Sequence, residues 1–276
     1  MIDATQRQQF IEALVEIVTN AGREIVAIYQ TDFDVTTKAD DSPLTQADLA
    51  ANAVIRRGLK ELAPQVPILS EEAELPDFAT RRAWSRYWLV DPLDGTKEFI
   101  NRNGEFTVNV ALIEDTRALL GVVGVPARDV VYTGDVASQR AERRDRNGRR
   151  TLAARRLNAE QPLVVVASRS HGGERLERFI DTLRGRFSGV DRTPVGSSLK
   201  LCILAEGQAD IYPRLGPTSE WDIAAAHAVL NAAGGEVWNF DRAPLRYNTK
   251  ESLLNPDFVA VADPQYDWWS TLPTPQ

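Results

Sequence analysis

Apolar residues recur at spacings of three and four through residues 3–29, at Phe10, Leu14, Ile17, Ala21, Ile25 and Ile28, with Gln, Glu and Arg between them. That period predicts an amphipathic helix, capped by Asp3 or Thr5. A polar stretch from Thr36 to Pro43 reads as a loop suited to act as a lid. A second helix is predicted from Thr45, because Thr45-Gln46-Ala47-Asp48 has the form of a capping box. Leu49, Ala53, Leu59 and Leu62 make its expected apolar face, and Pro64 ends it.

The pattern then changes to short apolar runs. Pro67 to Ser70 reads as a strand ending in Glu71-Glu72, and Tyr87 to Val90 as a buried strand ending in Asp91-Pro92-Leu93-Asp94-Gly95-Thr96, with a short helix from Gly95. Phe106 to Ile113, Leu119 to Val125 and Val130 to Tyr132 read as a meander in the same sheet. Residues 140–156 carry eight arginines around Asn147-Gly148, a pair typical of a type I′ turn, and read as a solvated protruding hairpin. A second alternation begins with a strand at Leu163–Ala167 and a helix through Leu183. Gly196-Ser197-Ser198-Leu199-Lys200 opens another helix, Ala209 to Pro213 is a strand, and Glu220-Trp221-Asp222 opens a strongly apolar helix closed by Gly234-Gly235. The tail, with Trp268-Trp269 and three prolines after Asp263, is expected to be poorly structured.

Composition narrows the class. With 276 residues, 43% hydrophobic and 26% charged, and a mean hydropathy of −0.29, the chain is expected to be a soluble globular protein with a substantial core. A net charge of −7 argues against non-specific nucleic-acid binding. The single cysteine, Cys202, precludes an internal disulfide and suits a reducing compartment, and with only His171 and His227 beside it a structural zinc site is not expected. No signal-type segment and no 18-residue apolar run is found, so a cytoplasmic enzyme is the expectation.

The chemistry concentrates in acids at strand and helix ends. Asp91 and Asp94 stand three apart in a Pro/Gly turn that can aim both carboxylates and a carbonyl at one point; the same residues also make an ordinary turn. Asp48 fits a cap, Asp222 fits the first turn of its helix, and Glu71-Glu72 follow a strand end, where α/β sheets gather their sites. Glu71, Asp91, Asp94 and Asp222 together offer oxygen ligands without histidine, which selects Mg²⁺ or Mn²⁺ over zinc. Several such carboxylates around adjacent cations suit phosphate-ester hydrolysis by metal-activated water. Ser168-Arg169-Ser170-His171 and the Gly196–Lys200 run offer hydroxyls, amides and cations for a further anion or a base.

Asp91-Pro92-Leu93-Asp94-Gly95-Thr96, Glu220-Trp221-Asp222 and Gly234-Gly235 together resemble the double signature of the inositol monophosphatase superfamily. Ser70-Glu71-Glu72, Lys97-Glu98-Phe99-Ile100, Arg102 to Thr107, Ser168 to His171, Gly196 to Lys200 and Ala205-Glu206-Gly207 resemble, more narrowly, its bacterial 3′(2′),5′-bisphosphate nucleotidases. The resemblance covers about residues 5–260, and departs only in the Arg-rich hairpin and the tail. It implies an alternating αβαβα layered sandwich forming one catalytic unit over 1–265, with an N-terminal lobe of about 1–158, a C-terminal lobe of about 159–265, and a tail at 266–276.

The resemblance also implies roles. Glu71, Asp91, the Leu93 carbonyl and Asp94 hold Mg²⁺, and Asp222 completes a second site, for two or three ions in all. Glu71 and Thr96 position the attacking water, and Asp48 hydrogen-bonds the Thr96 hydroxyl, which ranks above its capping role. Glu72 is a partner of these ligands or an outer ligand of a third, weaker metal. The Gly95 and Thr96 amides receive the scissile phosphate, while Ser168, His171, Ser197, Lys200 and Arg214 hold the nucleotide. The implied reaction is in-line hydrolysis of the 3′ phosphate of adenosine 3′,5′-bisphosphate, or of 3′-phosphoadenylyl sulfate, without a covalent intermediate. Li⁺ inhibition and a role in sulfur metabolism follow from the same resemblance. Inositol monophosphatase or sugar bisphosphatase activity is the nearest rival, and a non-catalytic nucleotide- or RNA-binding regulator a remote one. A nucleotide is the expected partner. Monomer and homodimer both remain open, as does peripheral association with the cytoplasmic side of the inner membrane.

Overall fold

The computed structural model describes residues 2–33, 35–37, 43–168 and 173–273. The expected lid loop falls largely outside that set, as does His171. In chain order the elements are α1 (Ala4–Tyr29), β1 (Val35–Thr37), β2 (Pro43–Thr45), α2 (Gln46–Leu62), β3 (Ile68–Ser70), α3 (Phe78–Arg81), β4 (Arg86–Asp94) and α4 (Thr96–Ile100). They continue with β5 (Thr107–Glu114), β6 (Arg117–Val125), β7 (Val130–Asp135), β8 (Arg140–Asp145), β9 (Gly148–Thr151), β10 (Leu163–Ala167) and α5 (Glu174–Arg184). The chain closes with β11 (Val190–Pro194), α6 (Leu199–Ala205), β12 (Ile211–Arg214), α7 (Glu220–Ala232), β13 (Glu236–Asn239), β14 (Phe258–Val261) and α8 (Trp268–Thr271).

Seven strands form one sheet in the order β3-β4-β5-β6-β7-β8-β9, parallel only between β3 and β4; five form a second, ordered β11-β10-β12-β14-β13. Side chains alternate across β4. Trp88 and Val90 join α1 and α2 through Phe10, Leu14, Ile55 and Leu59, while Tyr87 and Leu89 face α6 and α7. The far side of α6 and α7 meets Val166, Tyr212, Phe258 and Ala260 of the second sheet. The outer face of that sheet is covered by Leu176, Phe179 and Leu183 of α5 and by Trp268. The layers therefore run α, β, α, β, α, as expected.

Helix α7 is buried almost all round because it lies between two sheets, which explains why its sequence shows no polar stripe. Gly121 and Gly134 let it lie against the first sheet: a Cβ on Gly121 would stand 2.1 Å from the Ala225 carbonyl oxygen, and one on Gly134 2.6 Å from that of Ala228.

Four expectations need correction. Helix α2 is capped by Thr45 as read, but its buried face is Ala47, Ala51, Ile55 and Leu59, and Leu49 is 51% exposed. Of the expected face, Leu59 is buried and Leu62 packs partly against the core, while Leu49 and Ala53 are exposed. The Arg-rich hairpin does not protrude: it is the sheet edge β8–β9, held by ion pairs. Arg144 and Arg149 reach Glu12 of α1 at 2.7 and 3.0 Å, and Arg150 reaches Glu206 at 2.6 Å. Its turn is not type I′, since Asn147 has no positive φ and only Gly148 does, at +111°. The tail folds, with Trp268 fully buried and its Nε1 donating to the Asp263 carbonyl at 2.7 Å. No helix among the described residues is long and apolar enough to cross a membrane.

Candidate active site

Parallel pairing of β3 with β4 puts Ser70 opposite Val90, so Glu71 and Asp91 leave the two strands side by side. The Glu71 amide donates to the Val90 carbonyl at 3.1 Å, continuing the ladder by one residue. After Asp91 the pairing of β4 with β5 becomes irregular. There Asp91 Oδ1 accepts the Leu93 amide at 3.0 Å and bends the chain, with the Leu93 side chain buried on the core side. Asp222 arrives from α7, whose start is set by a capping box in which Asp222 Oδ2 accepts the Ser219 amide at 2.9 Å. One carboxylate oxygen from each of Glu71, Asp91 and Asp222 lies within 4.8 Å of the others.

Burial, and then the charges of Glu71, Asp94 and Asp222, push the Asp91 carboxyl well above its ordinary range. Burial followed by Asp94 and Glu71 does the same to Asp222. Gathered acids of this kind stabilise a cation as strongly as they oppose one another's ionisation. The donors are all oxygen, with no nitrogen or sulfur among them, and so fit a hard divalent cation.

Asp94 stands outside that triple. Its Oδ2 accepts the Ser198 amide at 2.5 Å and lies 3.5 Å from Thr107 Oγ1. Burial raises its carboxyl to about 6, opposed chiefly by the Lys200 charge. Ser198 Oγ is 2.7 Å from Asn109 Oδ1 and 2.9 Å from Thr107 Oγ1, so Asp94 is tied through one hydroxyl network to β5 and to the start of α6.

Asp94 and Asp222 also wall a cleft of about 250 Å³ whose other lining residues include Gly95, Thr96, Ser168, Ser197, Lys200 and Arg214. The structure thus collects, in one concavity, every described residue expected to contact substrate. Gly95 takes φ +88°, which turns the chain from β4 into α4. Lys200 Nζ donates to the Ser197 carbonyl at 2.6 Å and lies 5.5 Å from the centre of the Tyr212 ring. Burial lowers its ammonium to about 8 despite the opposing pull of Asp94. Arg214 donates to the Gly216 and Pro217 carbonyls, fixing the loop at the cleft rim.

Asp48 makes the capping bonds that were ranked second: its Oδ2 accepts the Thr45 amide at 2.8 Å and the Thr45 hydroxyl at 2.6 Å. The backbone carbonyl of Glu72 accepts from Asn52 Nδ2 at 2.8 Å, and Asn52 Oδ1 accepts the Ser70 hydroxyl at 2.9 Å. Asn52, Tyr212 and Thr218 are not singled out by the sequence, and Glu98 and Ser198 stand out there only within the Lys97–Ile100 and Gly196–Lys200 runs. Asn52 gives no signal there beyond its place four residues after Asp48, and Ser198 only its place in the Gly196–Lys200 run.

A family model described as the inositol monophosphatase family matches residues 6–266. The chain belongs to the inositol monophosphatase family. It is 47% identical over 250 residues to the 3′(2′),5′-bisphosphate nucleotidase CysQ of Escherichia coli (strain K12), spanning 90% of this chain and 98% of that protein. The crystal structure of CysQ from Bacteroides thetaiotaomicron superimposes with a TM-score of 0.82 at 39% identity, covering 94% of this chain and 98% of that one. The inositol monophosphatase from Anabaena (Nostoc) sp. PCC 7120 superimposes with a TM-score of 0.73 at 25% identity, covering 96% and 97%.

Proposed function

We propose that the chain is a Mg²⁺-dependent phosphatase that removes the 3′ phosphate of adenosine 3′,5′-bisphosphate, with 3′-phosphoadenylyl sulfate as a related substrate. The observation that carries this reading is that Asp222 belongs both to the acid triple and to the wall of the cleft. A phosphate ester in the cleft therefore meets the carboxylates at its reacting end. The 47% identity to a bisphosphate nucleotidase supports the nucleotide over an inositol phosphate.

Glu71, Asp91, the Leu93 carbonyl and Asp94 would hold the first Mg²⁺, with Asp222 completing a second site. When bound, the cation supplies charge for the phosphate oxygens and acidifies water. Glu71 and Thr96 orient that water, and Asp48, held by Thr45, orients Thr96. Gly95 and Thr96 present backbone amides to the phosphate. Lys200 and Arg214 set positive charge beside the leaving nucleotide, with Ser168, Ser197 and His171 completing its contacts, and Glu72 supports the ligand turn. No covalent step is required. Phosphate release from adenosine 3′,5′-bisphosphate, inositol monophosphate and fructose bisphosphate at equal Mg²⁺ tests the reading. Preference for the nucleotide is expected, and faster hydrolysis of either sugar phosphate would overturn it.

A further inference from the structure

Glu98 is the one carboxylate in the cleft that the proposed chemistry leaves without work. It is 8% exposed and lines the cleft together with Asp94, Lys200 and Arg214. Among the described residues, no side-chain hydrogen bond or ion pair engages its carboxylate. Lys200, whose charge it feels, makes its closest hydrogen bond to the Ser197 carbonyl instead.

Two glycines make room for it. A Cβ on Gly196 would lie 2.6 Å from Glu98 Cγ, and one on Gly95 would lie 3.2 Å from Glu98 Oε2. Gly196 is tied in place by its amide, which donates to Glu105 Oε2 at 2.9 Å. The side chain is therefore flanked by two glycines at the cleft wall, four residues past Asp94.

A buried carboxylate without a donor is costly, and a cleft that retains one is matched to a ligand that brings the donor. Like charge disfavours a phosphate there, so the group that fits is a hydrogen-bond donor such as a hydroxyl or an amine. Glu98 Oε2 lies against Gly95, beside the expected seat of the scissile phosphate. The substrate hydroxyl nearest that phosphate is the ring hydroxyl vicinal to the ester.

We infer that Glu98 is a specificity-determining residue that accepts a hydrogen bond from the ribose hydroxyl neighbouring the scissile phosphate. This inference rests on the nucleotide reading above and adds the discrimination of ribose from deoxyribose. A hydrogen bond to a charged acceptor implies a preference of about tenfold or more in kcat/KM for the hydroxylated sugar.

The test compares adenosine 3′,5′-bisphosphate with 2′-deoxyadenosine 3′,5′-bisphosphate on the wild type and on Glu98→Gln, the deoxy substrate also reporting that the variant is folded. The wild type is expected to prefer the ribonucleotide about tenfold or more, and Glu98→Gln to bring the ratio to within about threefold of unity, chiefly by slowing the ribonucleotide. Equal wild-type rates on the two nucleotides, or an equal loss on both in the variant, would overturn the inference while leaving the nucleotidase reading intact. A wild type that hydrolyses neither nucleotide would overturn that reading, and the inference with it.

Discussion

Asp91 is almost fully buried, and its nearest charged neighbours are Glu71, Asp94 and Asp222. An isolated aspartate placed so deep would take up a proton. A cation among these acids would keep them ionised, so neutralising one member while keeping its shape separates charge from packing. Asp91→Asn is expected to lower turnover by at least about 10³-fold, the scale of losing a central electrostatic group. A steady-state assay at saturating Mg²⁺ checks it, and near-normal turnover would remove Asp91 from the ligand set. Asp91, Asp94 and Asp222 are legible as motif residues in Asp-Pro-x-Asp-Gly-Thr and Trp-Asp, and Glu71 by its place after a strand end. Glu98 is legible as part of the Lys97–Ile100 run, but its place in the cleft is not, because a glutamate in a first helical turn looks the same whether it faces solvent or a cleft.

At the scale of elements, α2 shows how a correct helix can carry a wrong face. Leucine at 49 and 62 drew the apolar stripe toward themselves, but alanines at 47 and 51 are what fit beneath the sheet, and Asp48 and Asn52 ride the same buried side. Asn52 uses both ends of its amide, on the Ser70 hydroxyl and the Glu72 carbonyl, and so holds the turn that presents Glu71. Asn52→Ala is expected to cost about 1–3 kcal/mol of stability by stripping buried partners. It is also expected to raise the Mg²⁺ concentration for half-maximal activity. Denaturant melts with chelator present and a Mg²⁺ titration of activity measure the two effects separately; an unchanged Mg²⁺ requirement would make Asn52 a packing residue only.

Across the whole molecule, the acids join layers that are separate in the chain. Glu71 follows β3 and Asp91 lies in β4 where its pairing with β5 turns irregular, whereas Asp222 lies in the first turn of the helix between the sheets. Without a cation this junction works against folding at neutral pH. Asp94 is raised from 3.8 to about 6, so the folded protein binds more protons than the unfolded chain between those values. The site's contribution to stability is therefore greatest below the unfolded value and is lost as pH rises through about 6. A divalent cation reverses this by binding the ionised form. Excess Mg²⁺ is expected to raise Tm more at pH 8 than at pH 5, with about 2.7 kcal/mol gained when free cation exceeds Kd a hundredfold. Thermal melts with Mg²⁺ or chelator at the two pH values test it, and equal shifts would contradict a carboxylate-held cation.

Periodicity and apolar runs by themselves determined the longer helices, the meander and the strand–helix alternation of the second half, because side-chain spacing reports the type of element, though in α2 it did not report the buried face. Motif chemistry determined the acids, because few arrangements bring so many carboxylates to strand ends. The tertiary structure decided the rest. Glu12 and Glu206, far from 140–156 in the chain, turn its arginines into a neutralised sheet edge. Trp268 is ordered by the outer face of the second sheet, which no local pattern announces. Glu71, Asp91 and Asp222 meet only because parallel pairing of β3 and β4 and the sandwiching of α7 converge on one point, and convergence is a property of packing that neighbouring residues do not encode.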